Sequence, residues 1–420
     1  ILYSIVDRMF VGQIEEVGNV CLAAVGICGP IVTLLSSFGT LVGIGGSIWL
    51  SMCLGQKNEK RASQILCNSF VMLVVLSVCL TLGFILLKHN LIYWFGGSDA
   101  LYPYANTYLT IYTLGTFFAL MSIGLNYFIT GQGYATIAML SVCIGAITNI
   151  IFDFILIHTL KIGVAGAAIG TVVAQFLSCM FVLCFLRFKS KIKLRKEDLS
   201  IEKMKHIVKL GFSPFLIIAS DSIILIVMNM MLQKYGGNMG DIYISAITVA
   251  QSYFLLITGP LLGISSGTQP IFAYHFGSQN LKKIKEAFKI VISFAFLFCL
   301  VMFIISMCYS NVFVAMFTNN TMTMPIADRA IKIFCLGILM MSIQYVLVDG
   351  ITGLSNVKLS LFLSLNRKMM YLCCTCLLPA FLGVSNIFYA QPIADIYASI
   401  VTIICFIKII PSYLKSHGVK

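Results

Sequence analysis

Charge is what this sequence has least of. Only 10% of its 420 residues are Asp, Glu, Lys or Arg, where soluble domains run near a quarter. That excludes a soluble globular body. Histidine is scarce too. The five residues His89, His158, His206, His275 and His417 are not paired at ligand spacing, so no zinc-type site is expected. Fifteen cysteines are present, but most lie inside apolar runs such as YLCCTCLLP (371–379), where Cys acts as a small apolar residue. No cluster of His, Cys and acid at one depth is visible, so no enzyme and no cofactor are expected. Long polar segments are missing as well, apart from KSKIKLRKEDLSIEK (189–203).

What the chain has is hydrocarbon. Apolar residues make up 59% of it, and the mean hydropathy is +0.98. Apolar stretches long enough to cross a bilayer recur from end to end. The pattern predicts an all-α polytopic membrane protein of twelve transmembrane helices. They fall at about 1–11, 22–52, 65–87, 104–128, 137–157, 164–186, 207–232, 243–273, 286–308, 328–350, 357–382 and 389–411. Pro30, Pro214, Pro260, Pro270 and Pro379 are candidate kinks. The first run is short, and helix 1 is expected to start upstream of Ile1.

The net charge of +13 is uneven. Nineteen Lys and Arg follow even-numbered helices, in the 2–3, 6–7, 8–9 and 10–11 loops and the tail. Five lie on the other side: Lys88, Lys161, Lys234, Arg329 and Lys332. Cytoplasmic loops carry the positive excess. The expectation is a multi-pass protein of the plasma membrane, with both termini cytoplasmic, the lipid bilayer as partner and no nucleic acid.

The sequence also repeats. At an offset of 222 residues, Ala24 meets Ala246, Gly45 meets Gly267, Asn58 meets Asn280 and Gly115 meets Gly337. ITG (129–131) meets ITG (351–353). The second half opens its first helix near 207, so the same offset places the start of helix 1 about fifteen residues before Ile1. Six helices return the chain to its starting side. The expected domains are an N-terminal lobe (1–188, helices 1–6), a cytoplasmic basic linker (189–206) and a C-terminal lobe (207–420, helices 7–12). The lobes should be related by a pseudo-twofold axis along the membrane normal. That is a transporter architecture.

The motifs YSIVDRMFVGQ (3–13), LAAVGICGPI (22–31), LGQKNEKRA (54–62), TNIIFDFILI (148–157), GISSGTQPIFAYHFG (263–277) and QPIADI (391–396) resemble those of multidrug and toxic compound extrusion (MATE) transporters of the bacterial DinF-like branch. The resemblance covers essentially the whole chain. It implies an antiporter that exports small cationic amphipathic drugs in exchange for protons or sodium ions; the chain is expected to work as a monomer. It also implies an N-lobe pocket of Tyr3, Asp7, Asn149, Asp153 and Thr171. The chain departs from the family at FITGQGYA (128–135), where an arginine is common.

The residues support that pocket on their own chemistry. Asn149 and Asp153 are one helical turn apart in an otherwise uncharged run, and so are Tyr3 and Asp7. An unpaired carboxylate in hydrocarbon is costly, so it faces protein or a water-filled cavity. Desolvation favours the neutral acid, which suits a proton carrier. Oxygens of Asp7, Asn149 and Asp153 also suit a sodium ion. At offset 222, Asp7 meets Asn229 and Asp153 meets Thr375, so neither acid has an acidic counterpart, which points to one ion site in the N-terminal lobe. Asp221, Asp349 and Asp395 are secondary acidic or substrate-site candidates; Asp395 is the counterpart of Thr171 if two extra residues are allowed. Arg367 and Lys368 interrupt helix 11, and either snorkel or pair with an acid. Some of the many Met and Phe are expected to line a drug-binding cleft. GTLVG (39–43), GAAIG (166–170) and GISSG (263–267) predict close helix packing. The alternative reading is a lipid-linked oligosaccharide flippase of the same superfamily.

Overall fold

The computed structural model describes all residues except Ile1, Glu15, Gln56, Ser278, Ser355 and residues 417–420. The side chain of Tyr3, and those of some other helix positions, also lie outside the described residues. Among the described residues there is no strand. Hydrocarbon offers no partner to a backbone N–H or C=O, so an open chain crosses it as helix.

Fifteen α-helices follow in order: α1 (Leu2–Gly12), α2 (Gly18–Gly55), α3 (Glu59–Trp94), α4 (Tyr102–Leu114), α5 (Thr116–Gly131), α6 (Ala135–Asp153), α7 (Val164–Cys184), α8 (Ile201–Gly236), α9 (Gly240–Gly267), α10 (Gln269–Gly277), α11 (Leu281–Ala315), α12 (Thr323–Cys335), α13 (Ile338–Gly353), α14 (Val357–Leu382) and α15 (Ala390–Ser416). Among the described residues, eight segments are long and apolar enough to span a bilayer, or ten when two bent pairs each count as one. Two features separate ten from the twelve expected helices. The helix α1 is too short for that test, and α8 and α9 run together across the 3-10 turn Gly237–Met239.

The internal repeat reappears in small details. Asn58 caps α3 by accepting from Arg61 N at 3.0 Å, and its counterpart Asn280 caps α11 by accepting from Lys283 N at 3.0 Å. The residues just before these caps, Lys57 and Gln279, have φ of 57° and 54°. The sharp breaks also correspond. The pair α4 and α5 bends by 56° at Gly115, and α12 and α13 bend by 48° at the counterpart Gly337. These breaks fall at the glycines rather than at any of the five candidate prolines. A Cβ on Gly115 would sit 2.5 Å from Val172 Cγ2, and one on Gly337 would sit 3.1 Å from Asp395 Cβ. Each bend therefore lets a later helix press against the corner.

By residue contacts the chain divides into Leu2–Met230 and Met231–Lys420. In the first unit α2 packs on α4 and α5, α3 on α5, and α5 and α6 on α7. Its core includes Leu50, Ile65, Leu125, Phe128 and Val182. A second cluster joins Val11, Cys28, Leu109 and Ala168. Most of α8, as far as Met230, belongs here too. The Gly211 backbone lies against the Leu41 carbonyl, and Asn229 Nδ2 donates to Gly26 O at 3.3 Å. In the second unit α9 packs on α12 and α13, α11 on α13, and α13 and α14 on α15, which is the same scheme.

Two of the three GxxxG stretches pack as expected. A Cβ on Gly43 would meet Gly124 O at 2.7 Å, and one on Gly166 would meet Leu156 Cβ at 3.0 Å. GISSG does not, because both Gly263 and Gly267 face open space. Gly43→Ala is therefore expected to lower the thermal unfolding temperature of the detergent-solubilised protein, with an overpacking cost of roughly 1–3 kcal/mol. Gly263→Ala should leave it unchanged or raise it, because Ala favours helix by up to about 1 kcal/mol. Equal melting temperatures for the two variants would contradict the close approach of α2 to α5.

Candidate functional site

The carboxyl residues of the first half come together. Asp7, in the middle of α1, and Asp153, the last residue of α6, are both buried, and their carboxyl groups lie within hydrogen-bonding reach of each other. Asn149, one turn before Asp153 and equally buried, spans the cluster. Its Nδ2 donates to Asp153 Oδ1 at 3.3 Å and to Thr171 Oγ1 on α7 at 3.4 Å. Four of the five pocket residues expected from the sequence are thus neighbours. The fifth, Tyr3, lies on α1 with its side chain outside the described residues.

Local structure explains how α6 presents its acid. The helix is regular up to Asp153 and then widens into a π-helical stretch over Phe154–Thr159. Such widening is rare and recurs at functional sites. The counterpart stretch of α14 continues as α-helix. Opposite Asp153, Gly170 brings the α7 backbone close: a Cβ there would stand 2.5 Å from Asp153 Oδ1. The second glycine of GAAIG therefore makes room for the carboxylate.

The electrostatics are unbalanced. Arg8 acts on Asp7 from the neighbouring position and also interacts with Tyr108. Yet Asp7 Oδ1, Asp153 Oδ2 and Asn149 Oδ1 are buried with no hydrogen-bond donor. Buried polar oxygens are normally satisfied. Two carboxyl groups this close cannot both hold a full negative charge without repulsion. A shared proton or a bound cation resolves both problems. The donor set is all oxygen, which suits a hard ion such as sodium.

A cavity of about 350 Å³ opens beside the cluster. Asn149 and Thr171 line it, together with Asn126, Tyr127, Gln175 and Ser178 from α5 and α7. Gln175 donates to Tyr112 Oη at 3.1 Å. Among the described residues neither Met nor Phe lines it. Sequence reasoning missed Gln175 and Asn126. Gln175 stands one turn after Thr171, and that i, i+4 spacing was the available signal.

The remaining acids take no part in this cluster. Asp395 is buried and internally neutralised: Arg367 Nη1 donates to Oδ1 at 3.1 Å, and Gln391 Nε2 to Oδ2 at 2.8 Å. The same guanidinium lies 5.2 Å over the Tyr345 ring. Arg367 thus pairs across the bundle rather than snorkelling. Asp349 accepts from Gln269 Nε2 at 2.9 Å. Asp221 is exposed on α8. Among the described residues no group of three His, Cys, Asp or Glu is placed to hold a metal ion.

Known proteins match this sequence and fold. The profile of the MatE family matches residues 1–155 and 218–370. The multidrug export protein MepA of Staphylococcus haemolyticus is 23% identical over 399 residues, 94% of this chain and 86% of that protein. MepA of Staphylococcus saprophyticus is 25% identical over 348 residues, 82% of this chain and 76% of its own. A multidrug resistance MATE transporter in an inward-facing conformation superposes with a TM-score of 0.90 at 23% identity, covering 99% of this chain and 95% of that one. The MATE multidrug transporter DinF-BH, solved as a complex, gives a TM-score of 0.78 at 27% identity, over 97% of this chain and 91% of its own.

The contact between Gly170 and Asp153 is directly testable. Gly170→Ala is expected to lower the thermal unfolding temperature, with an overpacking cost of about 1–3 kcal/mol. Wild-type melting in that variant would show that α7 does not press on the carboxylate.

Proposed function

The chain belongs to the MatE family, and from that premise we propose that it is a multidrug efflux antiporter of the cell membrane. It exports small cationic amphipathic compounds in exchange for protons or sodium ions, works as a monomer and keeps both termini in the cytoplasm. The observation that carries this reading is the buried carboxyl pair of Asp7 and Asp153, with three oxygens of the cluster lacking donors.

The coupling follows from electrostatics. With no cation on the pair, the negative charge beside the cavity attracts an organic cation. When a proton or sodium ion takes the site, that attraction is lost and α1, α6 and α7 repack around a neutral cluster. Exchange results when the ion and the drug favour different states of the protein. The neutral, hydrogen-bonding lining of the cavity, with Asn126 and Gln175, suits ligands held by shape and a few polar contacts rather than by one fixed ion pair.

Sidedness has its own support. Lys191, between α7 and α8, lies 3.2 Å from Glu59 at the start of α3, so the basic segments that precede α3 and α8 share one side, as their charge requires for the cytoplasmic face. The flippase alternative needs a free cationic cleft for pyrophosphate. Pairing of Arg367 with Asp395 weighs against it.

Ethidium efflux from proteoliposomes under an imposed pH or sodium gradient tests the proposal. Wild type should respond to one of the two gradients. Asp153→Asn and Asp7→Asn should each lose coupled efflux by at least about tenfold, because the ion's differential affinity for the two states supplies the coupling. Wild-type rates with intact gradient dependence in both variants would sink this mechanism.

A further inference from the structure

The basic stretch read as a linker is not a loose tether. Residues 190–200 leave the π-helical turn Phe185–Lys189 at the end of α7 and cross the ends of α3 and α5 before α8 begins at Ile201. Two side-chain amides hold this strap as a neighbouring strand would. Gln132, just past α5, accepts from Ile192 N at 2.8 Å and donates to Ile192 O at 3.3 Å. Asn68, buried on α3, accepts from Ser200 N at 2.8 Å and donates to Asp198 O at 3.1 Å. Between these anchors Ser63 Oγ donates to Glu197 Oε1 at 2.8 Å.

The anchors fix which side chains turn inward. Ser190 and Ile192 are buried, and Leu194 packs against the core cluster of the first unit. Lys189, Lys191, Arg195 and Lys196 are exposed. Residues 187–205 carry eight cations against three carboxylates, Glu197, Asp198 and Glu202. Of the nearby acids, Glu197 is bonded to Ser63, and Glu59 meets Lys191 in a pair exposed on both sides, which neutralises little. Lys57, in the turn before α3, and Lys60 and Arg61, in its first turn, extend the positive field. Large apolar side chains stand beside these cations: Phe188 is 68% exposed, Leu199 58% and Ile201 72%.

A soluble anion needs cations but no apolar fringe. A surface that combines clustered Lys and Arg with exposed Phe, Leu and Ile matches the boundary between lipid headgroups and acyl chains. We propose that the strap is a docking surface for anionic phospholipid headgroups. Lys189, Lys191, Arg195 and Lys196 take the phosphodiesters. Phe188, Leu199 and Ile201 enter the acyl boundary, and Gln132 and Asn68 hold the strap in register. The inference requires that the chain spans a bilayer, and it does not depend on what is transported.

Thermal unfolding of the purified full chain, titrated with lipid in detergent, tests this without any transport readout. Phosphatidylglycerol should raise the melting temperature of wild type, whereas phosphatidylcholine and inorganic phosphate should not. Replacing Lys189, Lys191, Arg195 and Lys196 by Gln together should weaken the phosphatidylglycerol response by at least about tenfold, given the contribution of each surface cation near anionic lipid. A charge-matched control, with Lys282, Lys283, Lys285 and Lys289 replaced by Gln, should keep the response. Gln132→Ala, which keeps every charge, should weaken it. An equal loss in the control would overturn the strap as the site in favour of general attraction. An equal response to inorganic phosphate would overturn the lipid assignment.

Discussion

A backbone group inside a bilayer has no water to turn to, and the architecture follows from that constraint. The helices bend without giving up their ladders. At the Gly115 corner the glycine N–H still reaches Ile111 O at 3.3 Å and Tyr112 O at 3.0 Å. Past Asp153 the chain widens into a π-helical stretch instead of breaking. The extended backbone of the strap lies at the helix ends, where Gln132 and Asn68 bond to it.

The same constraint governs charge, and the two halves of the repeat answer it differently. In the second unit Asp395 receives Arg367 and Gln391, so both carboxylate oxygens are satisfied within the protein. Buried ions are tolerated when paired in this way. In the first unit Asp7 and Asp153 face each other and leave oxygens without donors. One solution is closed, and the other is completed only by a proton or cation. The two halves of the repeat thus treat a buried carboxylate in different ways.

Much of the candidate site was legible in the sequence. Polar residues in an apolar helix must face something polar, so Asn149, Asp153 and Asp7 marked themselves. The 222-residue offset anticipated the matching caps at Asn58 and Asn280 and the matching bends at Gly115 and Gly337. Gln175 and Asn126 went unnoticed because a single amide on a helix gives no sign of whether it faces a cavity or a neighbour. GISSG misled because GxxxG spacing states that two helices are able to approach, not that a partner is there.

The sequence by itself determined the helical class, the repeat, the uneven distribution of basic loops and the lack of acidic counterparts to Asp7 and Asp153 in the second half. These depend on local hydropathy and on residue identity at fixed spacing. Only the tertiary structure decided which buried charges are neutralised and which are not. It paired Arg367 with Asp395, set Asp7 against Asp153 and laid the strap on α3 and α5. Each of those outcomes joins side chains or backbone from different helices. The cost of a buried charge depends on the partners that packing brings within a few ångströms, and spacing along the chain does not encode that distance.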